Sequence, residues 1–244
     1  KYQYYGRNTD WYDLFYKKST TAHQHNIRIS GGGKTSSFIA SARYYEQDGI
    51  YRVGDEKFRQ LNARAKGTVN ITKWLTVENN TDFVRRSYHQ PTTYAQNLLV
   101  RRNLEHQGFP ITRVTNPDGT WTGTPIYNFN PLASIKALGR NSTHDRTLQA
   151  NFQLKERLDF LVEGLYLSEA MSLSSWTRDG ASNTRNYSRW LDGVQQTTDN
   201  DTPYTRGEDS GQNQWTWQHY NATVGYDGTF GRHVVSASAG ILYN

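Results

Sequence analysis

The sequence predicts an all-β chain, an antiparallel meander forming part of a transmembrane β-barrel, and three observations predict it. Apolar and polar residues alternate with period two in several stretches, so each strand has one oily and one polar face. Short turns alternate with long connections, which in a meander puts the short turns on one edge and the long loops on the other. The composition is polar yet aromatic: hydrophobic residues are 35% of 244 and mean hydropathy is -0.86, while aromatics reach 14% with 17 Tyr and 7 Trp. Disorder explains the polarity but avoids aromatics. A barrel wall explains both, because it needs an apolar residue only at every second position and carries aromatic girdles and hydrophilic loops.

Residues 1–19 show no alternation and form a loop, in which TDWYDLFYKK predicts a short helix capped by Thr9 or Asp10. Residues 20–87 hold four strands. Ile27 and Ile29 alternate with Asn26 and Arg28, Gly31 to Gly33 break the run, and Phe38, Ala40 and Ala42 alternate with Ile39, Ser41 and Arg43. After a medium loop from Gln47 to Phe58, Leu61, Ala63, Ala65, Gly67 and Val69 face away from Gln60, Asn62, Arg64, Lys66 and Thr68. Beyond a turn at Ile71 to Trp74, Leu75, Val77, Thr81 and Phe83 continue the apolar side against Thr76, Glu78, Asn80 and Asp82.

Residues 88–145 lack alternation and contain five of the six prolines, which predicts a long extracellular loop or a small folded insertion, with a helix in TYAQNLLVRRNLEHQG ended by Gly108. Residues 146–170 predict a hairpin: Leu148, Ala150, Phe152 and Leu154 share a face, a turn falls at Glu156 to Leu158, and Phe160, Val162, Gly164 and Tyr166 line the returning strand. Residues 171–214, rich in Ser, Thr, Asn, Asp and Gly, predict a second long extracellular loop. Residues 215–244 form the last hairpin, Tyr220 to Tyr226 against Val235 to Ile241 across GTFGRH. The total is eight strands, with short turns near 31–35, 71–74, 156–158 and 228–233.

Several classes are excluded. No apolar run approaches the roughly 18 residues of a transmembrane helix, whereas a spanning strand needs only about 9–11. KYQYYGRNTDW has neither a charged leader nor an apolar core, so a signal is expected to have been removed, or the chain to be internal to a longer one. Cysteine is absent, which excludes disulfides and thiolate metal sites. The net charge of +6 permits nucleic acid, anionic lipid or acidic ligands as partners, but a solvated basic surface is the simpler reading.

No nucleophile elbow, zinc-protease, phosphate-loop or dinucleotide motif is present, so neither a catalytic residue nor a cofactor is expected. Glu163 and Glu169, spaced along one strand, would stand about 20 Å apart, too far for a glycosidase pair. His23 and His25 share a side but lack a third ligand nearby, and Asp199 and Asp201 lack the Gly and final Glu of a calcium loop, so no metal is expected.

Five segments carry a family resemblance: NTDW at Asn8 to Trp11, HNIRISGGGKTSSFIASARYYEQDGI, KFRQLNARAKGTVNITKWLTVENN, NPDGTW at Asn116 to Trp121, and NPLASI at Asn130 to Ile135. Over residues 8–135 the chain resembles the SusC/RagA-type TonB-dependent outer-membrane transporters. That resemblance implies a barrel of about 22 strands, an N-terminal plug bearing the TonB box, and a SusD-like surface lipoprotein closing over the outside. It also implies residence in the bacterial outer membrane against its lipid, and active import of oligomeric nutrients, glycans ahead of peptides. Eight strands cannot close such a barrel, so the chain reads as an internal part of the barrel domain with the plug absent.

Candidate substrate contacts are the loop aromatics Trp121, Tyr127, Trp176, Tyr187 and Trp190, whose flat faces suit sugars, although such rings also pack their own loops. Arg43, Arg64, Lys66 and Glu78 fall on the expected lumen face, where they would line the path or pair with the plug. The same aromatics would serve a soluble β-sandwich carbohydrate-binding module, which would bury the apolar stripe between two sheets. Nucleic-acid binding rests only on charge and aromatics and is not expected.

Overall fold

The computed structural model describes residues 8–92, 110–123, 130–137, 139–196 and 213–243. The strands in chain order are β1 Ala22–Gly32, β2 Ser36–Asp48, β3 Lys57–Asn70, β4 Leu75–Pro91, β5 Trp121–Thr122, β6 Gly139–Arg157, β7 Leu165–Thr184, β8 Arg189–Leu191, β9 Val194–Gln195, β10 Gln214–Phe230 and β11 His233–Tyr243. Eight of them make one antiparallel sheet in the order β1-β2-β3-β4-β6-β7-β10-β11, while β5, β8 and β9 make a small separate sheet. The large sheet is a meander with β1 and β11 at its borders. No helix among the described residues is long and apolar enough to cross a membrane, which says nothing about strands.

The pairing register decides what each face carries. One row reads Ile29, Ala40, Ala65, Thr81, Ala150 and Leu173; the neighbouring row, on the other face, reads Arg28, Ser41, Arg64, Asp82, Gln149 and Ser174. Because side chains alternate and opposed residues share a face, a continuous register gives one apolar and one polar surface. No second layer covers the apolar face among the described residues: Ile29 is 58% exposed and Ile241 70%. A sandwich would have buried these residues, so that alternative gives way to a single wall-like sheet.

The apolar band also drifts. From Ala65, the middle of the β3 run, the register leads through Thr81, Ala150 and Leu173 to Gln218, yet the apolar run of β10, Tyr220 to Tyr226, is centred about five residues further on. Over four strand spacings of about 4.8 Å, a drift of about five residues at about 3.3 Å each means strands tilted by about 40° across the band. Barrel strands tilt by this amount.

The connections segregate. Tight turns at 33–35, 71–74, 158–164 and 231–232 lie on one edge, and the connections 49–56, 92–138 and 185–213 on the other. The buried core is small and sits at that second edge. Trp11 and Phe15 of α1 (Trp11–Phe15) pack with Tyr51 and with Leu132 and Ile135 of α2 (Pro131–Ala137). Asp10 caps α1 by accepting the Asp13 N–H at 3.0 Å.

Three expected boundaries are displaced. β4 runs to Pro91 and β6 starts at Gly139, so 139–145 belong to the wall and not to a loop. β7 extends to Thr184, so much of the expected loop 171–214 is strand. Outside the apolar band both faces of a strand are polar, and alternation vanishes although pairing continues.

The third turn is not at Glu156 to Leu158 but spans 158–164. Phe160 and Val162, expected on a strand, sit in this turn, closed by the Gly164 N–H donating to Asp159 Oδ1 at 2.9 Å. β7 therefore starts at Leu165, which places Leu165 and Leu167 on the apolar face and Tyr166 on the polar one. The helix expected to end at Gly108 lies outside the described residues.

Gly164 has φ +86°, and a Cβ there would stand 2.1 Å from the Asp227 carbonyl oxygen. Gly164→Ala is expected to destabilise the folded protein by about 1–3 kcal/mol. Gly231→Ala, at φ +60° with open space around it, should cost less. Denaturant unfolding in micelles measures both. On the apolar face, Ala63→Arg should cost about 2–4 kcal/mol if Ala63 lies near the middle of a bilayer, and Asn62→Arg little.

Candidate functional site

At the long-connection edge distant segments converge on concave surface. Its geometry starts with two asparagines, each followed by proline. Asn130, 2% exposed, caps α2: its Oδ1 accepts the Ala133 N–H at 3.2 Å, and Pro131 occupies the first helical position, where its missing N–H costs nothing. Its Nδ2 donates to the carbonyls of Val114 (2.8 Å) and Thr122 (3.2 Å). Asn116 does the same for the neighbouring turn, donating through Nδ2 to Thr120 Oγ1 (2.9 Å) and to the Trp190 carbonyl (3.1 Å).

In the same turn, the Thr120 hydroxyl and backbone N–H both donate to Asp118 Oδ1, at 2.7 and 3.0 Å. These bonds hold the Asp118 carboxyl below its ordinary pKa, the hydroxyl contributing most. A lowered carboxyl ties the turn above the ordinary carboxylate range and releases it as pH falls through the lowered value.

These bonds bring Trp121 and Trp190 together. β5 pairs with β8 in parallel, Trp121 opposite Arg189 and Thr122 opposite Trp190. Trp121, Tyr187 and Trp190 line one open concavity of about 650 Å³ with Lys136 and Arg185, and the Lys136 Nζ lies 5.9 Å from the centre of the Trp121 ring. A second concavity of about 530 Å³ shares Lys136 and Arg185 and adds Asp55, Arg140 and Asn183. The surface can therefore offer ring faces and cations side by side.

The candidates do not behave alike. The Tyr187 hydroxyl is within hydrogen-bonding distance of Ser134 Oγ (2.9 Å), and it accepts the Asn130 N–H at 3.1 Å, so its polar end holds the loop together. Trp121 also packs against the small core. Trp176 is not a loop residue: it sits on the polar face of β7 opposite Trp215, with the Arg178 guanidinium 5.1 Å from its ring centre. Tyr127 lies outside the described residues.

Arg43, Arg64, Lys66 and Glu78 share the polar face. Arg43 donates to Gln24 Oε1 at 2.7 Å, and Arg64 donates to Asn80 Oδ1 and faces Asp82 at 3.5 Å.

Sequence reasoning missed several residues here. Trp215 and Trp217 stand on the polar face beside Trp176, and the W-T-W spacing carried that signal. Tyr45, Phe58 and Tyr88 form an aromatic chain on the same face, with ring centres 5.9 and 4.9 Å apart. Lys136 and Arg185 join the aromatics only through long-range folding, which no local pattern signals. His23 and His25 rings lie 5.5 Å apart, and no group of three metal-ligating side chains occurs among the described residues.

No family model and no curated protein matches the chain. Solved structures do. The RagAB peptide importer in its "closed-closed" state aligns with a TM-score of 0.62 and 15% identity over 96% of this chain and 25% of that one. The RagAB peptide transporter aligns with a TM-score of 0.63 at 15% identity, and the importer in its "open-open" state with 0.62 at 14%. The chain thus spans about a quarter of the length of the proteins whose fold it shares.

If Asn130 is the tie among these segments, Asn130→Ala should loosen residues 114–123 and 130–137 by about 1–3 kcal/mol, since it removes a cap and takes the side-chain donor from two carbonyls, of which Val114 still accepts the Thr122 N–H. Tyr187→Phe should cost about 1 kcal/mol. Limited proteolysis should show more cleavage in the described parts of this segment for Asn130→Ala than for Tyr187→Phe, while the sheet stays intact.

Proposed function

We propose that the chain is a stretch of wall, with its outer connections, from a bacterial outer-membrane importer of oligomeric nutrients. The observation that carries this reading is the segregation of tight turns and long connections to opposite edges of a sheet whose apolar face is exposed. Short periplasmic turns and long extracellular loops are the pattern of outer-membrane barrels. The apolar run Leu61 to Val69 extends about 26 Å along β3, or about 20 Å of height at a tilt of about 40°, before side-chain breadth is added. That suits a band about 25 Å tall. The likeness to RagAB supports the same reading, and supports transport rather than catalysis.

In this reading the polar face, with Arg43, Arg64, Lys66 and Glu78, looks into the lumen. A SusD-like lipoprotein lid closes over the long connections, and a TonB-coupled plug lies outside these residues. The substrate meets the concavity of Trp121, Tyr187 and Trp190.

Two substrate classes compete. Ring faces suit oligosaccharides. Lys136 and Arg185, on the rim of both concavities, favour peptides, whose carboxylates can use a cation that a neutral glycan does not need.

The test is uptake of a labelled acidic oligopeptide and of a neutral oligosaccharide by cells carrying the full transporter, with surface expression measured in parallel. Peptide uptake should fall about tenfold in Lys136→Ala/Arg185→Ala, the loss of about 1.4 kcal/mol of recognition. Trp190→Ala should weaken uptake of whichever class is carried. Oligosaccharide uptake alone would return the assignment to glycans, and uptake of neither would defeat the importer reading.

A further inference from the structure

On the apolar face of the sheet the strand cations are segregated. Lys57, Arg59, Arg85, Arg140 and Arg146 all stand on the long-connection side of the apolar band, and no Lys or Arg of the described strands stands on this face at the other side. The rows are consecutive. Ala42, Ala63, Phe83 and Leu148 form the last apolar row; Tyr44, Leu61, Arg85 and Arg146 come next, then Glu46, Arg59, Ser87 and His144, then Asp48, Lys57, His89 and Ser142. An open concavity of about 390 Å³ spans the last three rows, its lining including Lys57, Arg59, Leu61, Arg85, His89 and His144.

The charges there are unevenly matched. Glu46 takes Lys57 at 3.0 Å and Arg59 at 2.7 Å, and Asp179 pairs with Arg146. Arg85 is exposed and, among the described residues, has no hydrogen-bond or ion-pair partner. It stands directly opposite Arg146, an arrangement that costs stability in a bare sheet and that an anion between the two would reverse.

We propose that this surface binds the phosphorylated headgroup of a membrane lipid. Arg85 and Arg146 hold the phosphate, Arg59 and Lys57 stand on the side away from the membrane centre, and the acyl chains lie on Ala63, Phe83 and Leu148. A free anion would use the cations but has no need of the adjoining apolar row. A lipid uses both, which is the complementarity that decides between them. The proposal rests on the reading of the apolar face as lipid-facing.

The experiment places the full-length transporter in nanodiscs of phosphatidylcholine doped with phosphatidic acid and counts retained lipids by native mass spectrometry. Wild type is expected to retain phosphatidic acid preferentially. Arg85→Gln should lower that preference about fivefold, the share of one surface cation. Lys66→Gln, a cation of the opposite face, should leave it unchanged.

Insertion without any preference, or a preference unaltered by Arg85→Gln, overturns the headgroup site alone. Failure of the folded wild-type protein to insert overturns the membrane-wall reading beneath it. Complete displacement by millimolar inorganic phosphate overturns the lipid assignment in favour of a free anion.

Discussion

Continuous backbone pairing across eight strands is the constraint from which the other features of this sheet follow. Between the two border strands, backbone N–H and C=O groups pair with neighbouring strands on both sides, so no side chain has to rescue them. The side chains are free to be sorted by surroundings, and the pleat sorts them with period two. A slip of one residue of β3 against β2 would carry Arg64 and Lys66 to the face of Ile29 and Ala40. Register therefore decides what each face carries across all eight strands.

The long-connection edge follows a different logic. There the backbone is irregular, and side chains supply the missing partners. Asn130 and Asn116 each tie carbonyls of separate segments, and Tyr187 reaches across to Asn130 and Ser134. The result is a polar framework around a handful of apolar residues, which positions rings and cations without a large core.

How much of this was legible in the sequence depends on depth in the band. Leu61 to Val69 announces its strand because one side must be apolar, and all eight long strands carry at least a few residues of that kind. Ser175 to Asn183 does not, since both its faces are polar, and pairing with β6, joined by β10 as far as Thr177, makes it strand. Phe160 and Val162 misled in the opposite way, alternating like a strand within a turn that Asp159 and Gly164 close. At the site, the aromatic residues could be listed from composition. Their grouping could not, because Tyr187 and Asn130 meet across 57 positions of sequence. Trp176 looked like a loop residue for the same reason that the end of β7 looked like a loop.

The cluster of Trp11, Phe15, Tyr51, Leu132 and Ile135 draws its members from three separate stretches of chain, and Phe15 is wholly buried. A cluster this small has little redundancy: five buried residues form it, with Leu14, Tyr16, Val53, Val114 and Trp121 packed against them. The three stretches therefore share one fate, ordering together or fraying together as a single cooperative unit. A change of volume at Phe15 calls for a matching change at Ile135 or Leu132, whereas Ala63 or Ile27 can be exchanged for another apolar residue with no partner to consult.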